Sequence, residues 1–382
     1  MRPPKTSQKI YQYIRRGMQT GKFRVGEKIP TERNLAAQFK TSRPTVARAL
    51  RRLVTENLIC RNGKGGSTIT GLPTRSTVQL GAAFLGLAIH HREQTVIDLV
   101  ARELNRLAAM ENVEIHFEDP SWSEDPGETG VADRFRAAAR EFYSHHVSGV
   151  FITPQEILAD QFVSPTVAIA QDFQESGIPL VLLDRDLVRY PARTAVDLVG
   201  IDNLGAGYML TKHFIELGCR RIDFLGHFTR VPTQESRIDG FLRAMELHGL
   251  HPDPGSVIHG NLFDRDFVVH ALRRRRPQVV LVVSDSRAAS VQRFALEAGI
   301  RIPEDLRIGS FDDLPVATEL PVPLTTVRQP IRDLAAVLLR TMLHRLNDLD
   351  APAVHCELNG ELIIRKSSGR AIQQAVGGRR QS

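Results

Sequence analysis

The sequence predicts an α/β protein in two parts, a small N-terminal winged helix-turn-helix and a larger body of two doubly wound lobes. Residues 1–70 combine helical apolar periodicity with a large excess of basic residues. Residues 78–368 alternate short apolar runs with amphipathic helical patterns, which is typical of parallel sheets covered by helices on both faces. About ten such runs are too many for one sheet of usual size, so two lobes are favoured.

Composition limits the class of protein. A chain of 382 residues is too long for a single core, and its 42% hydrophobic and 24% charged residues are ordinary for a globular protein. The sequence has neither an apolar run near the ~18 residues of a membrane span nor a secretion signal. The widely spaced Cys60, Cys219 and Cys356 form neither a disulfide framework nor a metal motif. We therefore expect a cytoplasmic protein without a metal or other cofactor.

The net charge of +7 is distributed unevenly along the chain. Residues 1–75 contain 17 Lys and Arg against 3 Glu and no Asp, so the remaining residues are acidic overall. Clustered positive charge on a segment with regular apolar periodicity indicates a folded module that binds a polyanion, and nucleic acid is the first candidate.

Three helices are predicted in this basic module. Ile10, Ile14 and Met18 recur at helical spacing and place the first helix at about residues 6–20. Thr31 is a candidate N-cap for the second helix and Ser42 for the third. The third helix has apolar residues on one face and polar or basic residues on the other: Val46, Ala49, Leu50, Leu53 and Val54 against Thr45, Arg48, Arg51 and Arg52. This pattern is typical of a helix-turn-helix whose second helix enters the DNA major groove.

A glycine-rich hairpin is predicted after the third helix, where LICRNGKGGSTIT reads as two short strands around a Gly/Lys tip. The pieces GKFRVGEKIPTERNLA, SRPTVARAL and NGKGGS also stand in the order and spacing of the winged helix-turn-helix of the GntR family. Residues 6–70 resemble that domain throughout. The resemblance implies that this part of the chain binds operator DNA.

The same resemblance implies which residues contact DNA. It places Arg33 at the start of the second helix. At the recognition helix and the wing it places Ser42, Arg43, Thr45, Gly63, Lys64 and Gly65. Many family members have an arginine where this chain has Ala47, whereas here the arginine comes one residue later, at Arg48. Arg48 is therefore expected to contact either a base or a phosphate, while Arg51 and Arg52 belong either to the DNA face or to a solvated helix face.

Polar residues follow the predicted strands of the body. Asp184 follows LVLL, Ser284 and Asp285 follow VVLVV, and Asp312 follows IGSF. In open α/β sheets, ligands bind beyond the carboxyl ends of the strands. Acceptors of this kind suit a hydroxyl-rich small molecule, although any one strand-end aspartate can instead cap the helix that follows it.

The body resembles the effector-binding domain of the LacI/GalR family, which is similar to periplasmic sugar-binding proteins. The resemblance is carried by segments such as GIPLVLLDR, VGIDNLGAGYMLTKHF, ESRIDGFLRAM and LRIGSFDD between residues 178 and 330, and it extends more weakly back to residue 78. The implied boundaries are a head at 1–70, a linker at 71–77, lobe N at 78–200 and 328–358, lobe C at 201–327 and 359–368, and a disordered tail at 369–382.

This second resemblance also assigns ligand contacts. Arg237, in an R-x-x-G motif, would bind ligand hydroxyls, Asp312 would accept from them, and Asp184 would lie at the mouth of lobe N. Ser284 and Asp285 stand where the family usually has Asn-Asp, so one contact of that pair is altered.

Two histidines depart from the family pattern. His90 and His91 stand where the family tends to show an aromatic pair at the start of a helix. They are predicted either to replace a stacking surface, which would indicate an unusual ligand, or to belong to an ordinary surface loop.

Together the two modules imply a ligand-responsive transcriptional regulator, expected to be a repressor. It would bind an inverted-repeat operator as a homodimer and respond to a small molecule, expected to be a carbohydrate. Two alternatives stay open. One is an α/β enzyme targeted to DNA, which the lack of a nucleophile elbow, Walker loop, HExxH or GxGxxG motif disfavours. The other is a DNA-binding dimer whose body binds no ligand.

Overall fold

The computed structural model describes residues 6–55, 58–61, 66–71, 77–85, 94–120, 130–155, 157, 162–228 and 231–369. In chain order its elements are α1 (Thr6–Gln19), α2 (Glu32–Gln38), α3 (Arg43–Thr55), β1 (Ile59–Arg61), β2 (Ser67–Ile69), β3 (Val78–Ala83), α4 (Val96–Met110), β4 (Val113–Glu118), α5 (Val131–Ser144), β5 (Gly149–Ile152), α6 (Val167–Glu175), β6 (Leu180–Leu183), β7 (Asp197–Ile201), α7 (Asn203–Glu216), β8 (Ile222–His227), α8 (Pro232–Leu247), β9 (Val257–Gly260), α9 (Arg265–Arg275), β10 (Val279–Val282), α10 (Asp285–Glu297), β11 (Arg307–Asp312), α11 (Val316–Glu319), β12 (Thr325–Arg328), α12 (Ile331–Asn347), β13 (His355–Leu358) and β14 (Glu361–Ile363).

The head is a three-helix unit with a short hairpin. Helices α1, α2 and α3 bury their apolar stripes against one another, and Ile14, Leu35 and Leu50 are almost completely inaccessible. Strand β1 pairs antiparallel with β2, and Lys28 forms an isolated bridge with Thr68 of β2. The segment before α2 therefore lies beside the hairpin and joins it to the helices.

Two six-stranded sheets form the body. The sheet of lobe N has the order β13-β7-β6-β5-β3-β4, and its strands pair in parallel. The sheet of lobe C has the order β14-β12-β11-β10-β8-β9, in which β14 is antiparallel to β12 and the other pairings are parallel. The predicted fold class, a winged helix-turn-helix with two doubly wound lobes, is confirmed.

The central body strands β5, β6 and β10 are apolar and buried along their whole length because helices cover both faces of each sheet, whereas the edge strands β4, β9, β13 and β14 also contain polar or exposed residues. Every residue of β6 (LVLL) and of β10 (VVLV) is buried. The chain leaves the lobe N sheet after β7 and the lobe C sheet after β12, and it then contributes β13 to lobe N and β14 to lobe C. Each helix in the described ranges is too short or too polar to cross a bilayer.

Candidate functional site

The surface predicted to contact DNA is formed by α2 and α3. Thr31 caps α2, since its hydroxyl accepts a hydrogen bond from the backbone N–H of Asn34 at 3.3 Å. Ser42 immediately precedes α3, and its hydroxyl lies 2.9 Å from that of Thr45. Both helices begin where the sequence predicts, and the first turn of α3 presents the polar side chains of Ser42 and Thr45 at the turn between the two helices.

Three arginines on this surface are available to a ligand. Arg33, Arg43 and Arg48 are exposed, and none of them makes a hydrogen bond or an ion pair with any residue that the structure describes. Ala47, where many GntR members have an arginine, is half-buried. Unpaired guanidinium groups on a helix face are suited to phosphate oxygens and to guanine edges.

The hairpin is fastened to the helices by charge as well as by backbone pairing. Arg61 of β1 donates to the carboxylate of Glu32 at the start of α2, in an ion pair. Glu32 therefore neutralises Arg61 and leaves the neighbouring Arg33 unpaired. Gly63, Lys64 and Gly65, which the sequence predicts at the hairpin tip, lie outside the described residues.

The second candidate site is the cleft between the lobes, at the carboxyl ends of the two sheets. Asp184 follows β6 of lobe N, whereas Ser284 follows β10 and Asp312 ends β11 of lobe C. Arg237 lies on α8, which follows β8. Four of the predicted ligand residues therefore stand at the strand ends or beside them.

Arg237 is held in one orientation by three hydrogen bonds. Its guanidinium donates to Asn203 Oδ1 at 2.9 Å, to the Val283 carbonyl at 2.7 Å and to Asp312 Oδ1 at 3.4 Å. It also lies 4.7 Å from the ring centroid of Phe311, within cation–π range. With 7% of its surface exposed, Arg237 is preorganised before any ligand arrives.

Two helices fix the backbone of Arg237. Helices α7 and α8 cross at paired glycines: a Cβ added to Gly207 would lie 2.0 Å from the carbonyl oxygen of Arg237, and one added to Gly240 would lie 2.0 Å from that of Leu204. Such approaches are possible only where no side chain is present. The helix that carries the arginine is therefore packed backbone-to-backbone against the helix that carries its partner Asn203.

Two aspartates face each other from opposite lobes. Asp184 and Asp312 both have positive φ, +74° and +113°, which is uncommon for residues other than glycine. Burial raises the pKa of Asp312. The charge of Arg237 and the hydrogen bond from Gln329 lower this pKa, and the charge of Asp184 raises it. Arg185 binds Asp184 with nitrogen–oxygen distances of 3.0 and 3.1 Å.

Asp285 differs from the other predicted ligand residues. It is completely buried, and its carboxylate accepts hydrogen bonds from Ser310, from Thr326 and from the backbone N–H of Leu314. Burial and the neighbouring Asp312 raise its pKa to about 7. The structure thus corrects the prediction of a ligand contact: Asp285 offers no surface to a ligand and instead joins β11, β12 and α10.

Two buried hydroxyl groups lack a partner. The Oγ of Ser284 and the Oγ1 of Thr153, which follows β5 of lobe N, are inaccessible and make no hydrogen bond within the described residues. A buried hydroxyl without a partner costs free energy that a bound polar group or water would recover. Thr153 was not predicted as a site residue, because an isolated threonine after a strand has no distinctive pattern.

Phe228 is a second residue that sequence reasoning missed. It follows β8 and is 63% exposed, which is unusual for a phenylalanine. An exposed aromatic ring at the carboxyl end of a sheet is a suitable apolar surface for a sugar ring. His90 and His91, predicted to replace an aromatic pair, lie outside the described residues, and among the described residues no cluster of His, Cys, Asp or Glu is arranged for a metal ion.

Comparison with known proteins agrees with this two-part architecture. Residues 6–69 match the family model described as bacterial regulatory proteins, gntR family. Residues 211–368 match the model of a periplasmic binding protein-like domain. The two matches fall on the head and on the part of the body that contains Arg237, Ser284 and Asp312.

Relatives and solved structures extend the similarity. The HTH-type transcriptional repressor PurR of Photobacterium profundum is 29% identical over 199 residues, 51% of this chain, and the chain covers 58% of that repressor's length, less than two thirds. The HTH-type transcriptional regulator CelR of Thermobifida fusca is 27% identical over 353 residues, 88% of this chain and 98% of CelR. The structure of a transcriptional regulator CelR–cellobiose complex has a TM-score of 0.64 at 22% identity and covers 89% of this chain and 100% of that one.

These similarities indicate the class of the protein, because the relatives are transcriptional repressors and regulators. More particularly, the chain combines a head similar to the gntR family of bacterial regulatory proteins with a body similar to periplasmic binding protein-like domains.

Proposed function

We propose that the protein is a ligand-responsive repressor. Its head binds operator DNA, and a small carbohydrate bound between the two lobes alters that binding. The observation that carries the proposal is the set of groups at the carboxyl ends of the two sheets: an oriented arginine, strand-end carboxylates and two unpaired buried hydroxyls, in a chain that also has a winged helix-turn-helix head.

The chemistry of the cleft supports a hydroxyl-rich effector. Carboxylates accept from hydroxyl groups, a guanidinium donates to them, and a serine or threonine hydroxyl can do either. Hydroxyl donors between Asp184 and Asp312 would also relieve the repulsion between those two carboxylates. The similarity to a regulator in complex with cellobiose supports a sugar, with Phe228 as the surface for one ring face.

The head supports specific binding to duplex DNA. We assign Arg43, Thr45 and Arg48 to the major groove, and Arg33 and Ser42 to the flanking phosphates. A chain with one recognition helix reads one half-site, so we propose a homodimer on an inverted repeat in the cytoplasm. Within the chain, residues 71–77 would link the head to the body, and coupling of the usual ~1–3 kcal/mol would change operator occupancy about 5- to 150-fold.

The first experiment measures the melting temperature of the full chain against pentoses, hexoses, deoxysugars, disaccharides and uronic acids. A specific effector at about 100 times its Kd should add roughly 2.7 kcal/mol of stability. One sugar that raises the melting temperature and changes affinity for DNA supports the proposal. A sugar that the protein chemically converts would instead support an enzyme.

The second experiment selects duplexes from a random pool with the full chain and sequences them. A two-fold symmetric consensus is expected, together with a dimer mass in sedimentation at micromolar concentration. A single unrepeated half-site with a monomer mass would exclude the dimer model. If symmetric operators are selected but no small molecule in any panel alters binding, the protein is a ligand-independent DNA-binding dimer.

A further inference from the structure

We infer that an ion pair between Arg189 and Glu235 holds the two lobes together across the effector cleft and sets how far the cleft is closed before effector binds. Arg189 lies in lobe N, in the loop between β6 and β7, and Glu235 lies in the first turn of α8 in lobe C. One guanidinium nitrogen of Arg189 donates to both carboxylate oxygens of Glu235, at 3.0 and 2.9 Å. The regulatory meaning of this pair rests on the proposed function.

The pair is sheltered from solvent more than most surface ion pairs. The side chains of Arg189 and Glu235 are 19% and 22% exposed. Partial burial strengthens the attraction between opposite charges, because less water screens them. The contact is therefore expected to contribute more than the near-zero value typical of a fully exposed pair.

Arg189 is fixed to lobe N by the backbone of its loop. Its N–H donates to the Phe162 carbonyl at 2.9 Å, and two residues earlier the Leu187 carbonyl accepts from Ser164 at 2.7 Å. The carboxylate of Asp186 accepts from Leu187 and from Thr194, which closes the other side of the loop. The backbone of Arg189 is therefore fixed to lobe N, and its side chain alone reaches lobe C.

Glu235 is equally well fixed to lobe C. It lies two residues before Arg237 on α8, the helix that is packed backbone-to-backbone on α7 at Gly207 and Gly240. One turn of α8 thus bears both the proposed effector-binding arginine and the carboxylate that contacts lobe N. A change in the angle between the lobes would break the ion pair and displace the proposed binding residues relative to Asp184.

The Arg189–Glu235 pair favours closure of the same cleft before any effector is present. An effector that contacts both lobes would leave this ion pair intact and shift the population further toward the closed form. The strength of the pair then sets the population of the closed form without effector, and hence the apparent affinity for effector.

The experiment measures the distance between lobes by double electron–electron resonance in the full chain, without DNA and without effector. Spin labels are attached at Glu111→Cys in lobe N and His251→Cys in lobe C, both exposed positions. Cys60 and Cys356 are replaced by serine, and the buried Cys219 is kept. Labelled protein is diluted with an excess of unlabelled protein, so that any dimer contributes distances from one chain only.

Arg189→Gln and Glu235→Gln should each lower the ratio of closed to open molecules by roughly fivefold, the change that about 1 kcal/mol produces. High salt should move the parent protein in the same direction, because it screens the pair. The double variant Arg189→Glu/Glu235→Arg should restore the parent distribution. Circular dichroism melting of each variant establishes that it is folded.

Arg193→Gln is the matched control. Arg193 belongs to the same loop but pairs with Glu357 of its own lobe, at 3.8 Å, and is more exposed. Its substitution should leave the distance distribution unchanged. The inference is overturned if folded Arg189→Gln and Glu235→Gln give the same distribution as Arg193→Gln. The measurement contains neither DNA nor sugar. Identical distributions would therefore leave the proposed regulator function standing, and different distributions would support the ion pair whether or not that function is correct.

Discussion

Replacing Arg237 by methionine should destabilise lobe C by an amount that depends on pH. Methionine keeps an apolar stem over Phe311 but removes the cation that contacts Asp312, Asn203 and the Val283 carbonyl. Removing one partner of a buried ion pair costs about 3–5 kcal/mol, because the remaining charge is left uncompensated. We therefore expect a loss of that size at pH 8, because the folded variant must there either bury an uncompensated carboxylate or keep a proton that the unfolded chain has lost.

The loss should be smaller at low pH. Burial already raises the pKa of Asp312, and the loss of Arg237 removes the largest influence that lowers it. A carboxyl group whose pKa is higher in the folded than in the unfolded state favours folding at low pH and opposes it as the pH rises. The variant should therefore be closer to the parent protein at pH 5 than at pH 8.

Urea unfolding followed by circular dichroism at pH 5 and pH 8 measures both values. The double variant Arg237→Met/Asp312→Asn should recover most of the loss at pH 8, because it removes the uncompensated charge. The control Arg301→Met removes an arginine whose partner Asp305 lies with it on the surface of lobe C, and it should have little effect at either pH. An equal loss at both pH values, or no recovery in the double variant, would contradict the assignment of Arg237 and Asp312 as a buried pair.

Three further predictions concern the head, the helix crossing and the cleft. Arg43→Ala should weaken binding to the selected operator by about 1–3 kcal/mol, measured by fluorescence anisotropy, without changing the melting temperature. The control Lys9→Ala on α1 should bind like the parent protein. Equal affinity of the two variants would show that Arg43 does not contact DNA. Gly240→Ala should destabilise lobe C by at least about 1–3 kcal/mol in urea unfolding, because the new Cβ meets the Leu204 carbonyl. The control Gly130→Ala, whose Cβ would lie 3.5 Å from Asp133, should be tolerated. Equal stability of the two variants would refute the close crossing of α7 and α8. Ser284→Ala should leave the melting temperature unchanged or raise it, because it removes an unpaired hydroxyl. It should nevertheless weaken effector binding about tenfold, measured by calorimetry. Unchanged binding would show that Ser284 does not contact the effector.

Local patterns predicted the elements of the head and most of the body. The spacing of Ile10, Ile14 and Met18 indicated α1, and the Thr31 cap marked the start of α2. The bridge between Lys28 and Thr68 was not predicted, because it joins residues far apart in sequence. Strands β9, β12, β13 and β14 and helices α6, α9 and α12 were not assigned from the sequence. Segments such as VIHG are too short and too weakly periodic to indicate a strand.

The cleft was predicted only in part. Asp184, Arg237, Ser284 and Asp312 were named from strand ends and a family resemblance. Asp285 was assigned to the ligand by the same reasoning, but hydroxyls from two neighbouring strands surround it, and these partners cannot be read from a single strand end. The lack of a hydrogen-bond partner for the Thr153 and Ser284 hydroxyls likewise depends on which groups surround them in the folded chain, and the sequence alone does not show these surroundings.

The glycine crossing of α7 and α8 has an evolutionary consequence. Because the two backbones touch, Arg237 and Asn203 keep one mutual position however the surrounding side chains change. Descendants of this gene can therefore exchange residues at the strand ends, such as Thr153, Phe228 or Ser284, and acquire a different effector without rebuilding the lobe. The same contact makes Gly207 and Gly240 intolerant of a side chain, so under the proposed function a single mutation there would abolish the response to effector while the intact head still binds its operator.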